Sequence, residues 1–243
     1  MGKIKYSLSS DTWGSEEKKV LIDLIKSNEF LTFSKNVVKF ENKVAQYFNS
    51  KHAILVNSGS SANLLAIYTL FFMKNKLKKG DEVIIPAIGW STSYAPLIQL
   101  GLKIVLCDVD QDTFNISIKS LKNCISKKTK LILAINLIGN ISNLFEISKI
   151  CKEKKIYLFE DNCEGMGSKI NLKYCGTFGI ASSFSTYFSH HISTIEGGFV
   201  LTNNSIFYNI AKSIRSHGWT RNIDLNKINL SNKELSKINN DKN

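Results

Sequence analysis

Hydrophobic spacing divides the chain into two regimes. Leu21, Ile22, Leu24 and Ile25, followed by Val37, Val38, Phe40 and Val44, recur at helical intervals, so residues 1–50 are expected to form a helical segment. From residue 51 the pattern becomes short apolar runs at 53–56, 83–85, 103–106, 130–135 and 156–159, each the length of one buried strand. Stretches of helical character separate them, at 62–73, 94–100, 118–125 and 144–154. Strands that are apolar throughout and alternate with helices specify a mostly parallel sheet covered on both faces. The fold class is therefore α/β, with residues 51–221 as one large domain. In such sheets ligands gather beyond the carboxyl ends of the strands, so polar groups just after a strand are read first for function. Residues 222–243 break the pattern: seven of them are Asn and their Ile and Leu show no period, so a mobile tail is expected.

Composition narrows the function classes. The longest uninterrupted apolar stretch, near 64–73, is about half of the roughly 20 residues that a membrane-crossing helix requires, so no transmembrane segment is expected. Residues 1–20 hold no apolar export core, and Tyr6 stands where a myristoylation signal has Ser or Thr; a cytoplasmic location follows. The formal net charge of +12 raises the question of a polyanionic partner. Only Arg215 and Arg221 are arginines, however, and phosphate and base recognition favours the planar guanidinium fork, so no nucleic-acid partner is expected. The five cysteines have no metal-ligand spacing and read as reduced, structural thiols, with no metal site.

Four polar segments carry candidate chemistry. Asn57-Ser58-Gly59-Ser60-Ser61-Ala62-Asn63 lies between a buried strand and an apolar helix, where backbone N–H groups and Ser hydroxyls converge on an anion such as phosphate; a Ser N-cap in a Gly turn explains the same pattern. Asp161 follows strand 156–159, where a carboxylate pairs with a protonated ring nitrogen, with a Lys partner or a helix cap as the structural alternative. Within the segment Ser182 to Gly198, His190 and His191 stand side by side beyond an expected strand and ahead of the Gly197-Gly198 turn into strand 199–201, a placement suited to general acid–base work. In His217-Gly218-Trp219, Gly218 is expected to cap the helix that starts near Ser205, and His217 to be either functional or a capping cation. Asn136, after strand 130–135, either touches substrate or caps a turn.

Taken in this order, these segments resemble the DegT/StrS-type family of pyridoxal-phosphate enzymes acting on nucleotide-linked keto sugars, over nearly the whole chain. The resemblance implies a fold-type I large domain and a homodimer. It implies that Gly59 and Ser60 hold the cofactor phosphate with Ser185, that Trp90 stacks on the pyridine ring, that Asp161 pairs with the ring nitrogen, and that Glu164 lies near the ring hydroxyl. Aminotransferases of the family carry a Lys six residues before the Glu of Glu196-Gly197-Gly198, and that Lys bonds the cofactor covalently. Here the position is His190, and imidazole moves protons without tethering an aldehyde.

The Ser189-His190-His191-Ile192 run, with segments 90–94 and 217–222, resembles the branch of the family that dehydrates GDP-linked 4-keto-6-deoxy sugars at C3. By that resemblance L-glutamate converts the cofactor to pyridoxamine phosphate, His190 acts as base, His217 belongs to the catalytic set, and the sugar loses its C3 hydroxyl and then ammonia. A related branch adds an iron–sulfur cluster, but no Cys follows Cys175 in this sequence, which favours the cluster-free chemistry. Two other readings stay open, a nucleotide-sugar 4-aminotransferase that tolerates His190 and a non-catalytic remnant that only binds cofactor. Family members continue into a small C-terminal domain that this chain lacks, so a weakly active or inactive product is expected.

Overall fold

Two helices precede the sheet. α1 (Ser15–Lys26) opens at Gly14, whose N–H donates to Glu17 Oε2 at 2.7 Å, and α2 (Lys35–Tyr47) opens at Ser34, whose hydroxyl accepts from Asn36 N at 3.3 Å. The computed structural model describes residues 12–221, 223 and 224; the first eleven residues of the expected helical segment and the rest of the expected tail lie outside the described residues.

The alternating region follows as β1 (His52–Val56), α3 (Gly59–Thr69), β2 (Glu82–Pro86), α4 (Ser91–Gln99), β3 (Lys103–Cys107), α5 (Ile118–Cys124), β4 (Thr129–Ile135), α6 (Leu144–Lys154) and β5 (Tyr157–Asp161). A two-stranded ribbon, β6 (Lys169–Ile170) and β7 (Lys173–Tyr174), leads to β8 (Ala181–Ser185), β9 (Gly198–Thr202) and α7 (Ser205–Arg215). The seven-stranded sheet has the order β1-β9-β8-β5-β4-β2-β3. Every neighbouring pair from β8 to β3 is parallel, whereas β9 runs antiparallel to both β1 and β8. The expected α/β sheet is present, with one strand reversed.

Period-two alternation puts the strand side chains into two cores. Val83, Ile85, Leu131, Leu133, Ile135 and Phe159 pack on one face with α3, while Ile84, Ile132, Ala134 and Leu158 pack on the other with α6. Each such fully buried aliphatic side chain contributes about 1.5–3 kcal/mol relative to exposure. α3 is apolar nearly all round because it is enclosed, touching β8, β9, α4 and α7. A buried ion pair ties the first regime to the second: Arg215 of α7 donates to Glu41 of α2 at 2.5 Å and to the Leu55 carbonyl at 2.9 Å, while Leu55 N donates back to Glu41 at 2.9 Å.

Two local expectations shift. α3 starts three residues before the expected 62, at Gly59, because Ser58 caps it and no apolar residue is needed in the first turn. α7 ends at Arg215 with Ser216, not Gly218, as its cap residue; His217 and Gly218 both adopt left-handed backbone, φ 60° and 86°, and Gly218 N closes onto Ser213 O at 2.8 Å. Among the described residues no helix is long and apolar enough to cross a membrane.

Candidate active site

The carboxyl ends of β1, β8, β5, β4 and β2 lie along one edge of the sheet, and a cavity of about 910 Å³ opens there. Its floor starts with the turn from β1 into α3. Ser58 Oγ accepts from Ser61 N at 3.1 Å, and Gly59 and Ser60, whose N–H groups belong to the first turn of the helix and have no place in its internal ladder, line the cavity. Gly59 has no room for a side chain: a Cβ there would stand 2.7 Å from Ser185 Cβ and 2.8 Å from Cys163 Sγ. Ser185, the last residue of β8, thereby presses against the helix start and lines the same cavity.

Asp161 ends β5 and is 5% exposed. Its Oδ2 accepts from Asn63 Nδ2 at 2.9 Å and from Ser93 Oγ at 2.6 Å, and its Oδ1 accepts from Cys163 N at 3.2 Å. These donors, and the Cys163 thiol that also hydrogen-bonds the carboxylate, are neutral, and among the described residues no Lys or Arg pairs with it. A buried carboxylate with neutral donors and an open side toward a cavity favours a cationic ligand. Glu164 lines the cavity next to it and accepts from Ile138 N at 2.6 Å; Ile138 holds a left-handed φ of 55°, costly for a branched residue, to aim that amide. The Cys163 thiol is kept protonated, first by burial and then by the charge of Asp161, and is no thiolate nucleophile.

The opposite wall is the connection between β8 and β9, where Tyr187, Ser189, His190, His191 and Glu196 line the cavity. His190 N donates to Tyr187 O at 2.9 Å, closing a turn that holds the half-buried imidazole inward while His191 is exposed. Burial lowers the His190 pKa from the usual 6.5; Glu164 opposes this, His191 adds to it and Asp161 opposes it. Trp90, the residue before α4, is 68% exposed and forms part of the rim. No lysine lines the cavity among the described residues, nor do these contain a cluster of three or more His, Cys, Asp or Glu able to hold a metal.

The structure thus brings together Gly59, Ser60, Trp90, Asp161, Glu164, Ser185 and His190. His217 is not among them: it is exposed beyond α7, its ring centroid 6.0 Å from that of Trp219. Asn136 is fully buried, and its amide is used inside the turn after β4, donating to Asn162 Oδ1 at 2.9 Å and accepting from Ser142 N at 3.0 Å.

A sequence model of the DegT/DnrJ/EryC1/StrS aminotransferase family matches residues 11–234. The chain belongs to this family. Within it, the chain is 48% identical over 221 residues to GDP-4-keto-6-deoxy-D-mannose 3-dehydratase of Yersinia pseudotuberculosis, covering 90% of this chain and 56% of that protein. Among solved structures, the E. coli GDP-4-keto-6-deoxy-D-mannose-3-dehydratase with bound hydrated PLP superposes with a TM-score of 0.86 at 48% identity, covering 91% of this chain and 57% of that one. A GDP-4-keto-6-deoxymannose-3-dehydratase with a trapped PLP-glutamate geminal diamine gives 0.88 at 45% identity, covering 96% and 61%. The chain spans about half the length of the curated relatives it matches.

Asn63 and Ser93, which contact Asp161, were not singled out by sequence. The usable signal is polarity inside an enclosed helix: Asn63 is fully buried in α3 and Ser93 is 1% exposed in α4, and a buried amide or hydroxyl there needs a partner.

Proposed function

We propose that residues 51–221 form the cofactor-binding large domain of a nucleotide-sugar 3-dehydratase using pyridoxal and pyridoxamine 5'-phosphate, with L-glutamate as amine donor and a GDP-linked 4-keto-6-deoxy sugar as substrate. The reading includes a homodimer and a cytoplasmic site of action. The single observation that carries it is the make-up of the cavity wall: His190, at the position where the family resemblance puts a lysine in aminotransferases, lines it, and among the described residues no lysine does.

The residues present fit the cofactor. The turn at Gly59 is packed too closely for a Cβ yet leaves two helix-terminal N–H groups toward the cavity, as a phosphate requires. Asp161 offers a buried carboxylate that no Lys or Arg among the described residues pairs with, as a protonated ring nitrogen requires. When bound, the group supplies an electron sink for breaking the C3–oxygen bond of the sugar.

The chain's own residues do the remaining work. Gly59 and Ser60 N–H groups and the Ser185 hydroxyl bind the phosphate, Trp90 covers the ring face, and Asp161 keeps the ring nitrogen protonated. Glu164, fixed by Ile138 N–H, sets the ring hydroxyl side. His190 accepts a proton on its imidazole and returns it to the departing hydroxyl, a cycle favoured by a base already neutral below the ordinary histidine range. The structure gives His217 no place in this set within one chain.

The test is covalent capture. Incubated with pyridoxal phosphate and borohydride, the chain is expected to gain no cofactor mass at position 190 or elsewhere in the cavity, whereas His190→Lys gains one equivalent at that residue, read by peptide mass spectrometry. Labelling of the unaltered cavity, or no labelling of His190→Lys in a folded and cofactor-binding protein, would overturn the reading.

A further inference from the structure

Asp161 is held by a chain of buried side chains drawn from three elements. Ser183 Oγ of β8 donates to Asn63 Oδ1 at 2.6 Å, which fixes the orientation of the Asn63 amide. Asn63 Nδ2 of α3 then donates to Asp161 Oδ2 at 2.9 Å, and to the Thr92 carbonyl at 3.3 Å. Ser93 Oγ of α4 donates to the same Oδ2 at 2.6 Å. Ser183 and Asn63 are fully buried, Ser93 1% exposed.

The geometry has a direction. A carboxylate oxygen has two lone-pair sites, and Oδ2 uses both on these donors. Oδ1 has one longer bond, 3.2 Å, from Cys163 N, and the only other donor at the carboxylate among the described residues is the weak Cys163 thiol, so Oδ1 is the oxygen more open to a strong donor in the cavity. The last torsion of an Asp side chain is soft and nearly two-fold, so without Ser93 and Asn63 only the long bond from Cys163 N distinguishes the two oxygens. We propose that Asn63 and Ser93, braced by Ser183, are positioning residues that lock the Asp161 carboxylate with one oxygen spent inside the protein and the other presented to a protonated ring nitrogen. This rests on the cofactor reading above. Asn63 and Ser183 stand behind the cavity wall and Ser93 borders it; all three act through Asp161.

The experiment measures binding of pyridoxamine 5'-phosphate to the purified chain by its fluorescence, and the pH at which the bound ring loses its proton by absorbance. Loss of one hydrogen bond to a charged group is expected to weaken binding about tenfold and to lower the ring titration by about one pH unit for Ser93→Ala and for Asn63→Leu. Ser93→Thr, which keeps the hydroxyl, is expected to restore both, and Ser183→Ala, one bond further away, to show a smaller shift of the same sign. A merely structural role would lower the melting temperature and leave the ring titration where it was, and that result overturns the proposal. Should Ser93→Ala fail to fold, the Ser93→Thr and Ser183→Ala pair decides on the same readout. If the unaltered chain binds no pyridoxamine phosphate, both this inference and the functional reading fall; if it binds but the variants titrate like it, only this inference falls.

Discussion

His190 combines position and acidity. Its folded pKa lies below 6.5, chiefly through burial, so the imidazole is neutral over a wider range than a free histidine. An NMR titration of the imidazole in the purified chain is expected to give a midpoint below 6.5, and a midpoint at or above that value would contradict the burial argument. The sign for stability follows from linkage. Between the folded pKa and 6.5 the unfolded chain binds more protons, so this residue's contribution is fully present above 6.5 and is lost as pH falls through the folded value. Residues of this kind were legible in the sequence because they sit at or shortly beyond the carboxyl ends of strands: Asp161 and Ser185 end theirs, and Gly59 and His190 follow in the connections. Asn63 and Ser93 were not, since their partner is 98 and 68 residues away and nothing in a local pattern reports such a bond.

At the level of elements, the ion pair between Glu41 and Arg215 joins α2, β1 and α7. Both side chains are about one-tenth exposed, 10% for Glu41 and 11% for Arg215. Removing one partner leaves an uncompensated buried charge, so Arg215→Met is expected to cost about 3–5 kcal/mol in chemical denaturation. Replacing both with apolar residues of similar volume is expected to cost much less, and equal losses for the single and double variants would refute the account. The strands and helices themselves were readable to within a few residues, because the period switches from 3.6 to short apolar runs at residue 51. The direction of β9 was not. Its five residues are all buried, and an apolar run is the same whichever way it is threaded. The α7 terminus was misplaced for a related reason: two consecutive residues adopt left-handed backbone, and only the second is Gly.

Over the whole molecule, apolar surface gathers on the first regime. α1 buries no residue, and Val20, Ile25, Phe30, Leu31 and Phe33 are 66%, 70%, 83%, 67% and 61% exposed. Contiguous exposed apolar area of this sort binds hydrophobic dyes and promotes association. The chain is expected to enhance anilinonaphthalene sulfonate fluorescence and to sediment faster with rising concentration. The double change Phe30→Lys with Leu31→Lys is expected to reduce both effects at unchanged melting temperature; dye binding that persists in full would place the exposed area elsewhere.

The reversed strand has a further consequence. Gly198, its first residue, pairs with Val56 on one side and Ser185 on the other, and a Cβ there would stand 2.4 Å from the Ser58 carbonyl carbon. The proposed anion grip at 58–60 and the proposed proton acceptor at 190 are therefore carried on opposite flanks of a single rail. Deleting one residue inside Gly198–Thr202 would turn every later side chain of that rail to the wrong face and derail both functions together. Deleting one from the connecting turn would spoil the acceptor alone and leave the grip intact.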